Sequence, residues 1–194
     1  MSHIVGLDPS LTSCGIAILG RDGDETVVRK LRSPGHRSVN AKDWRERWHR
    51  VVTQSRFVLQ ALPSDIDLVV VEDMPSHQKP QPALGDRWAL WFGLCTELDA
   101  RGIPVAVCNP ATREKWATGK VVRGLSDDVR KARVTTAVRE QWPGVQVANH
   151  DCADALTLAA MGALKLGWTL PFEIKDRHHE GLTHVAWPKE MRRA

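Results

Sequence analysis

Residues 3–32 read HIVGLDPSLTSCGIAILGRDGDETVVRKLR. Three short runs rich in aliphatic and β-branched residues, His3 to Asp8, Cys14 to Leu19 and Glu25 to Leu31, alternate with turn formers, first Pro9-Ser10 and then Gly20-Arg21-Asp22-Gly23. Short runs punctuated in this way read as an antiparallel meander of three strands. The first run ends on a carboxylate, Asp8, immediately before a proline.

Outward from this meander, carboxylates stand at two more rigid places. The stretch DLVVVEDMPS, residues 67–76, carries the run Leu68 to Val71, continuous enough for a central strand covered on both faces, and it delivers Glu72 at its carboxyl end. The stretch ANHDCADAL, residues 148–156, opens an Ala/Leu-rich helix with Asp151 and Asp154 three residues apart on one side. Two strand ends and one helix start can bring these four groups together. Such a cluster tolerates its own charge only with bound cations, so the pattern reads as a metal site. Taken singly, Asp8 could open a turn, Glu72 could pair with an arginine and Asp151 could cap its helix, but together these explanations require three coincidences. Strand alternation assigns the neighbouring Asp73 to the opposite face, and His150 reads as a supporting or solvent-facing group.

The remaining periodicity completes an α/β chain. Asn40 is placed to cap a helix in which Trp44, Trp48, Val51, Val52, Ser55, Val58, Leu59 and Leu62 share a face, with the two tryptophans expected in the core. A second helix from Pro82 to Ala100 has Leu84, Trp88, Trp91, Cys95 and Leu98 as its buried stripe, and Gly102 follows its end. Ile103 to Val107 reads as another buried strand. Beyond Asn109-Pro110 lies a basic segment with a turn at Thr118-Gly119-Lys120, then a helix from Ser126 to Trp142 with Asp127 and Asp128 in its first turn. The order is β-β-β-α-β-α-β-α-α. Residues 168–194 lose periodicity and read as a tail or strapped-on arm beyond a single domain at 1–167.

Composition restricts the function classes. A chain of 194 residues with 42% hydrophobic content buries one sizeable core. Its four cysteines, Cys14, Cys95, Cys108 and Cys152, are scattered without a CxxC pair, which fits neither a zinc site nor a disulfide framework and points to a reducing cytoplasm. The longest apolar stretch, Cys152 to Leu164, contains Asp154 and is too short for a bilayer, so no membrane role is expected. Net charge is a modest +4, yet from Arg113 to Arg139 eight basic residues face three acidic ones. Such a run can be a solvated helix face; beside a carboxylate cluster, it also suits a substrate that carries phosphates.

Gly6-Leu7-Asp8-Pro9 with Gly15, Val70-Val71-Glu72, Lys131-Ala132-Arg133-Val134 and Asp151-Cys152-Ala153-Asp154-Ala155-Leu156, in that order between about His3 and Leu166, resemble the RuvC Holliday-junction resolvases. The resemblance implies an RNase H-like fold: a mixed five-stranded sheet, three antiparallel strands and then parallel ones, with helices on both faces. It implies that Asp8 bridges two Mg²⁺ ions, with Mn²⁺ able to substitute, while Glu72 binds on one side and Asp151 with Asp154 on the other. Two hard cations about 3.5–4 Å apart would clamp a scissile phosphate, so no side-chain nucleophile is needed. The implied enzyme is a crossover junction endodeoxyribonuclease that acts in DNA recombination and repair. Its partners would be four-way junctions, flaps and forks, reached as a homodimer in the cytoplasm of a bacterium or a phage-infected host. Lys115, Lys120, Arg130, Lys131 and Arg133 are the candidate contacts to the DNA backbone.

The chain departs from the family pattern at several positions. Ser10 replaces a glycine, Met74-Pro75 stands where many relatives carry an aromatic that wedges bases apart, and Val121 to Leu125 reads as an insertion between the basic stations at Lys115 and Lys131. Two other readings fit less well. Asp8 to Gly15 faintly resembles the first phosphate loop of actin-like ATPases and sugar kinases, but those are much longer and have a second nucleotide-binding domain. A non-catalytic branched-DNA-binding module on the same fold would have no use for four carboxylates beside phosphates.

Overall fold

The computed structural model describes residues 2–36, 42–74 and 83–189. Strands β1 (His3–Asp8), β2 (Gly15–Asp22) and β3 (Glu25–Arg32) form the expected antiparallel meander. Helix α1 (Trp44–Ala61) then leads to β4 (Ile66–Glu72), and α2 (Leu84–Ala100) leads to β5 (Val105–Cys108). Both crossovers return parallel to β1, giving the sheet order β3-β2-β1-β4-β5. Helices α3 (Pro110–Thr118), α4 (Asp127–Gln141), α5 (His150–Lys165) and α6 (Asp176–Leu182) complete the chain.

Strand alternation sorts the core into two layers. Val5, Leu7, Ile16, Ile18, Val69 and Val71 meet Val58 of α1 and Leu90, Leu94 and Leu98 of α2 on one face. On the other, Ile4, Ala17, Leu19, Leu68 and Val70 meet the small and aliphatic residues of α5. The contact with α5 is close because two glycines permit it. A Cβ on Gly6 would lie 2.0 Å from the Ala155 carbonyl oxygen and 2.6 Å from the Ala159 nitrogen; one on Gly15 would lie 2.1 Å from the Asp151 oxygen. Backbone thus rests directly on backbone where Asp154 comes down on Asp8.

Several sequence expectations change in three dimensions. The cap expected at Asn40 lies outside the described residues; α1 is capped instead by Asp43, whose side chain accepts from the amides of Arg45 and Glu46. Trp44 and Trp48 are not core residues: they are 62% and 54% exposed, and the buried positions of α1 are Gln54, Val58 and Ala61. In α2 the buried stripe is Asp86, Leu90, Leu94 and Leu98, a rotation that leaves Trp88 and Trp91 half-buried; Pro82 lies outside the described residues. The physical reason is that the two helices also pack on each other, so the sheet receives a narrower stripe of slim aliphatic side chains.

Two helices were not foreseen. Asn109 caps α3 by accepting from the Ala111 amide, Pro110 starts it, and Gly119 ends it in the left-handed region at φ 84°. After α5, the segment from Trp168 joins the main core through Trp168, Leu170, Leu182 and Val185. It touches both edges of the sheet: Thr26 donates to the Thr169 carbonyl beside β3, and Val107 and Ala186 exchange two backbone hydrogen bonds beside β5. Each edge strand is thus met at one point, Glu25 of β3 by Thr169 and Val107 of β5 by Ala186. Among the described residues no helix is long and apolar enough to cross a membrane.

Candidate metal centre

Asp8 follows Ile4 and Gly6 on the α5 face of β1, and Glu72 follows Leu68 and Val70 on the same face of β4. Since Leu7 pairs with Val71 in parallel register, the two carboxylates end adjacent strands side by side. Asp154, one turn into α5, comes down on them. One carboxylate oxygen from each of Asp8, Glu72 and Asp154 lies within 4.8 Å of the others. The strand end is tied down as well, because the Trp91 indole N–H donates to the Glu72 carbonyl at 2.9 Å.

Asp151 lines the same cleft, but the structure does not bring it into the three-carboxylate group. Its Oδ2 accepts from the Ser13 hydroxyl at 2.5 Å, and its Oδ1 lies 3.2 Å from His150 Nε2. The cap of α5 is Asn149, which accepts from the Cys152 amide and donates to Ser33 at 2.8 Å, fastening the helix start to the end of β3. Asp73 also lines the cleft, together with Met74; β4 ends at Glu72, so alternation does not carry over to the next residue.

The residue that sequence reading missed is Arg113. On α3 its guanidinium enters between the carboxylates: Nε donates to Glu72 Oε1 at 2.9 Å and Nη1 donates to Asp154 Oδ1. It is 8% exposed. The sequence placed it in a charged run, where nothing distinguishes it from the exposed cations around it. Its neighbour Glu114 is buried too, and one of its oxygens accepts from Arg130 at 2.9 Å.

Electrostatics follow from this crowding. Burial, the negative charge of Glu72 and a hydrogen bond shared with Glu72 hold the Asp8 carboxyl well above the ordinary range, and Asp154 adds to the effect, although Arg113 opposes it. Asp154 is pushed up to about 7, by burial first and then by Glu72 and Asp151, against the opposing pull of Arg113. Burial works against the Arg113 charge, but Glu72, Asp154 and Asp8 outweigh it and raise its pKa further. A divalent ion would displace the protons this crowding favours, and three carboxylate oxygens this close suit a hard cation once ionised.

The candidate DNA contacts separate on the surface. Lys131 lines the carboxylate cleft, and Arg130 joins it around an adjoining cavity shared with Arg113 and Asp154. Lys115 lies 3.4 Å from Glu180, Lys120 is exposed at the end of α3, and Arg133 lines a different cavity with Phe172, Lys175 and Arg177.

No family model matches the chain. Two curated relatives do, each a crossover junction endodeoxyribonuclease RuvC: the Rhodopirellula baltica protein is 26% identical over 83% of this chain and 85% of its own length, and the Rhodococcus jostii protein is 28% identical over 81% and 78%. The fold superposes on Thermus thermophilus RuvC with a TM-score of 0.59 and 18% identity, covering 88% of this chain and 99% of that one. The same protein in complex with a Holliday junction substrate gives 0.58 at 16% identity, covering 89% and 100%. Relatives and fold agree over most of its length, and in both the chain is similar to RuvC.

Proposed function

We propose that the protein is a metal-dependent, structure-selective endonuclease that resolves Holliday junctions and other branched DNA by phosphodiester hydrolysis during recombination. The observation that carries this reading is the convergence of Asp8, Glu72 and Asp154 in a cleft that also presents Lys131. A carboxylate cluster open to a polyanion makes sense as a metal holder, since without cations it would repel the phosphate it faces. The curated relatives bear the name of this activity, and one neighbouring structure contains a Holliday junction substrate.

Asp8, Glu72 and Asp154 would hold the ions, two per site, with Asp151 supporting the group from the α5 start. When bound, Mg²⁺ or Mn²⁺ supplies Lewis acidity toward the scissile phosphate and lowers the pKa of coordinated water. The chain's own task is to fix those oxygens on two rigid strand ends and one helix. Lys131 and Arg130 are placed to receive backbone phosphates beside the cleft, positioning the strand without reading its bases. The protein works as a homodimer in the cytoplasm, and two copies related by a two-fold axis give a junction paired nicks.

Asp8→Asn, Glu72→Gln and Asp154→Asn are each expected to abolish nicking of a synthetic four-way junction while leaving junction binding, measured by gel shift, within about threefold of wild type. Chelation stops the wild-type reaction and added Mg²⁺ or Mn²⁺ restores it. Unchanged cleavage by Asp8→Asn would sink the assignment, and junction binding without nicking by the metal-loaded wild type would favour the non-catalytic binding module.

A further inference from the structure

Arg113 stands where a cation is required. Three carboxylate oxygens lie within 4.8 Å of one another in a largely buried site, and the guanidinium pairs with two of their owners, Glu72 and Asp154, through separate nitrogens. A planar fork that spans two carboxylates is a good counter-ion for them, and a pair this buried is costly to leave uncompensated. Helix α3 holds the Arg113 backbone firmly: its amide donates to the Asn109 carbonyl, and the helix is capped at both ends. Motion is therefore left to the side chain.

The same region contains a place for that side chain to go. Arg113, Glu114, Asp127, Arg130, Lys131, Val134 and Asp154 surround a cavity of about 190 Å³ next to the cleft. Glu114 is 2% exposed, and while its Oε2 accepts from Arg130, its Oε1 is buried with no hydrogen-bond partner among the described residues. A buried carboxylate oxygen without a donor costs free energy unless something fills the need. Glu114, one of the residues around the cavity, thus carries an unmet acceptor close to a donor that is engaged elsewhere.

We infer that Arg113 is a built-in placeholder for a divalent ion: in the metal-free protein it holds Glu72 and Asp154 together, and metal entry moves its guanidinium into the cavity toward Glu114 Oε1. The inference rests on the metal centre proposed above and adds to it a positioning residue and an acceptor. It implies that Arg113 weakens metal binding by competition even as it stabilises the empty site. Glu114 acts in the opposite direction, easing metal entry by receiving the displaced cation.

The test is Mn²⁺ binding to the full chain without DNA, followed by the paramagnetic signal of the free ion, together with thermal unfolding with and without Mn²⁺. Arg113→Gln is expected to bind Mn²⁺ at least tenfold more tightly than wild type. Its metal-free melting temperature falls below that of wild type, and Mn²⁺ raises it by a larger increment, because a ligand of the native state stabilises according to its concentration over Kd. Glu114→Gln is expected to weaken Mn²⁺ binding in wild type and to leave it unchanged in the Arg113→Gln background; a purely structural role for Glu114 would shift both backgrounds alike. If Arg113→Gln folds only when Mn²⁺ is present, the competition is read from folding instead. Arg113→Lys, which retains a cation able to hold one carboxylate, is then expected to bind with intermediate affinity. Equal or weaker Mn²⁺ binding by Arg113→Gln or, should that variant not fold, by Arg113→Lys overturns the placeholder role while leaving the metal centre intact. Absence of Mn²⁺ binding by wild type and variants alike overturns both.

Discussion

At the scale of single residues, the raised pKa of Asp154 has a measurable cost in the metal-free protein. Folded, the group takes up its proton near pH 7; unfolded, it does so in the ordinary carboxylate range near 4. Between those values the native state holds the extra proton, so stability falls as pH rises from about 4 to about 7 and levels off above. His178 works the other way: burial lowers its pKa to about 4, so its contribution is lost as pH falls below about 6.5. Subtracting the melting temperature of Asp154→Asn from that of wild type across this range, in chelator, cancels the histidine and leaves the carboxylate group that Asp154 forms with Asp8, both held above the ordinary range. The difference is expected to become more negative toward pH 7 and to lose its pH dependence with saturating Mn²⁺; a flat difference in chelator would contradict the assigned environment. The carboxylates themselves were legible in the sequence, because each ends an element whose periodicity is plain. Arg113 was not, since its role comes from the direction in which one arginine of a charged run points, and that is decided by packing between α3 and α5.

The element that sets the site is α5, and its depth is controlled by glycine. Because the missing Cβ of Gly6 would meet backbone atoms of Ala155 and Ala159, no side-chain rotation can relieve Gly6→Ala. The helix must lift, carrying Asp154 away from Asp8. A loss of about 3 kcal/mol in urea unfolding is expected, the upper part of the range for overpacked cores, with weaker Mn²⁺ binding in the protein that survives. Gly85→Ala in the first turn of α2, where a Cβ meets nothing within 4 Å, is the contrast: it should stabilise by up to about 1 kcal/mol. An unaltered Gly6→Ala variant would mean that the close contact is not what positions the helix. Gly6 and Gly15 were visible as part of the family pattern, but their partner was not, because it lies more than a hundred residues away. Helix α3 was overlooked for a related reason. Its buried face includes Arg113 and Glu114, so hydrophobic periodicity gives no signal, although Asn109-Pro110 and Gly119 mark both of its ends.

Across the whole molecule, the order of strands and helices was legible up to β5, since alternating and continuous apolar runs report burial directly. What could not be read was which apolar side chains stay outside. Phe92 is 57% exposed and stacks on Trp88 at 5.4 Å, with Trp91 edge-on at 5.1 Å, so α2 presents an aromatic patch to solvent. Under the homodimer proposed above, this aromatic surface is the candidate contact between two copies. Wild type is accordingly expected to elute with a light-scattering mass twice the 21.6 kDa of one chain. Phe92→Glu places a charge in the middle of that patch without touching the buried Leu90, Leu94 and Leu98, so the fold should persist while dimerisation weakens by roughly thirtyfold or more, the cost of losing an aromatic hot spot of about 2 kcal/mol. The monomeric variant should retain its Mn²⁺ affinity, because Asp8, Glu72 and Asp154 all come from one chain. On a junction it should make single nicks in place of the paired nicks that separate the duplexes. A wild type that stays monomeric on DNA yet nicks in pairs would place the second active site elsewhere and leave the aromatic patch to a different partner.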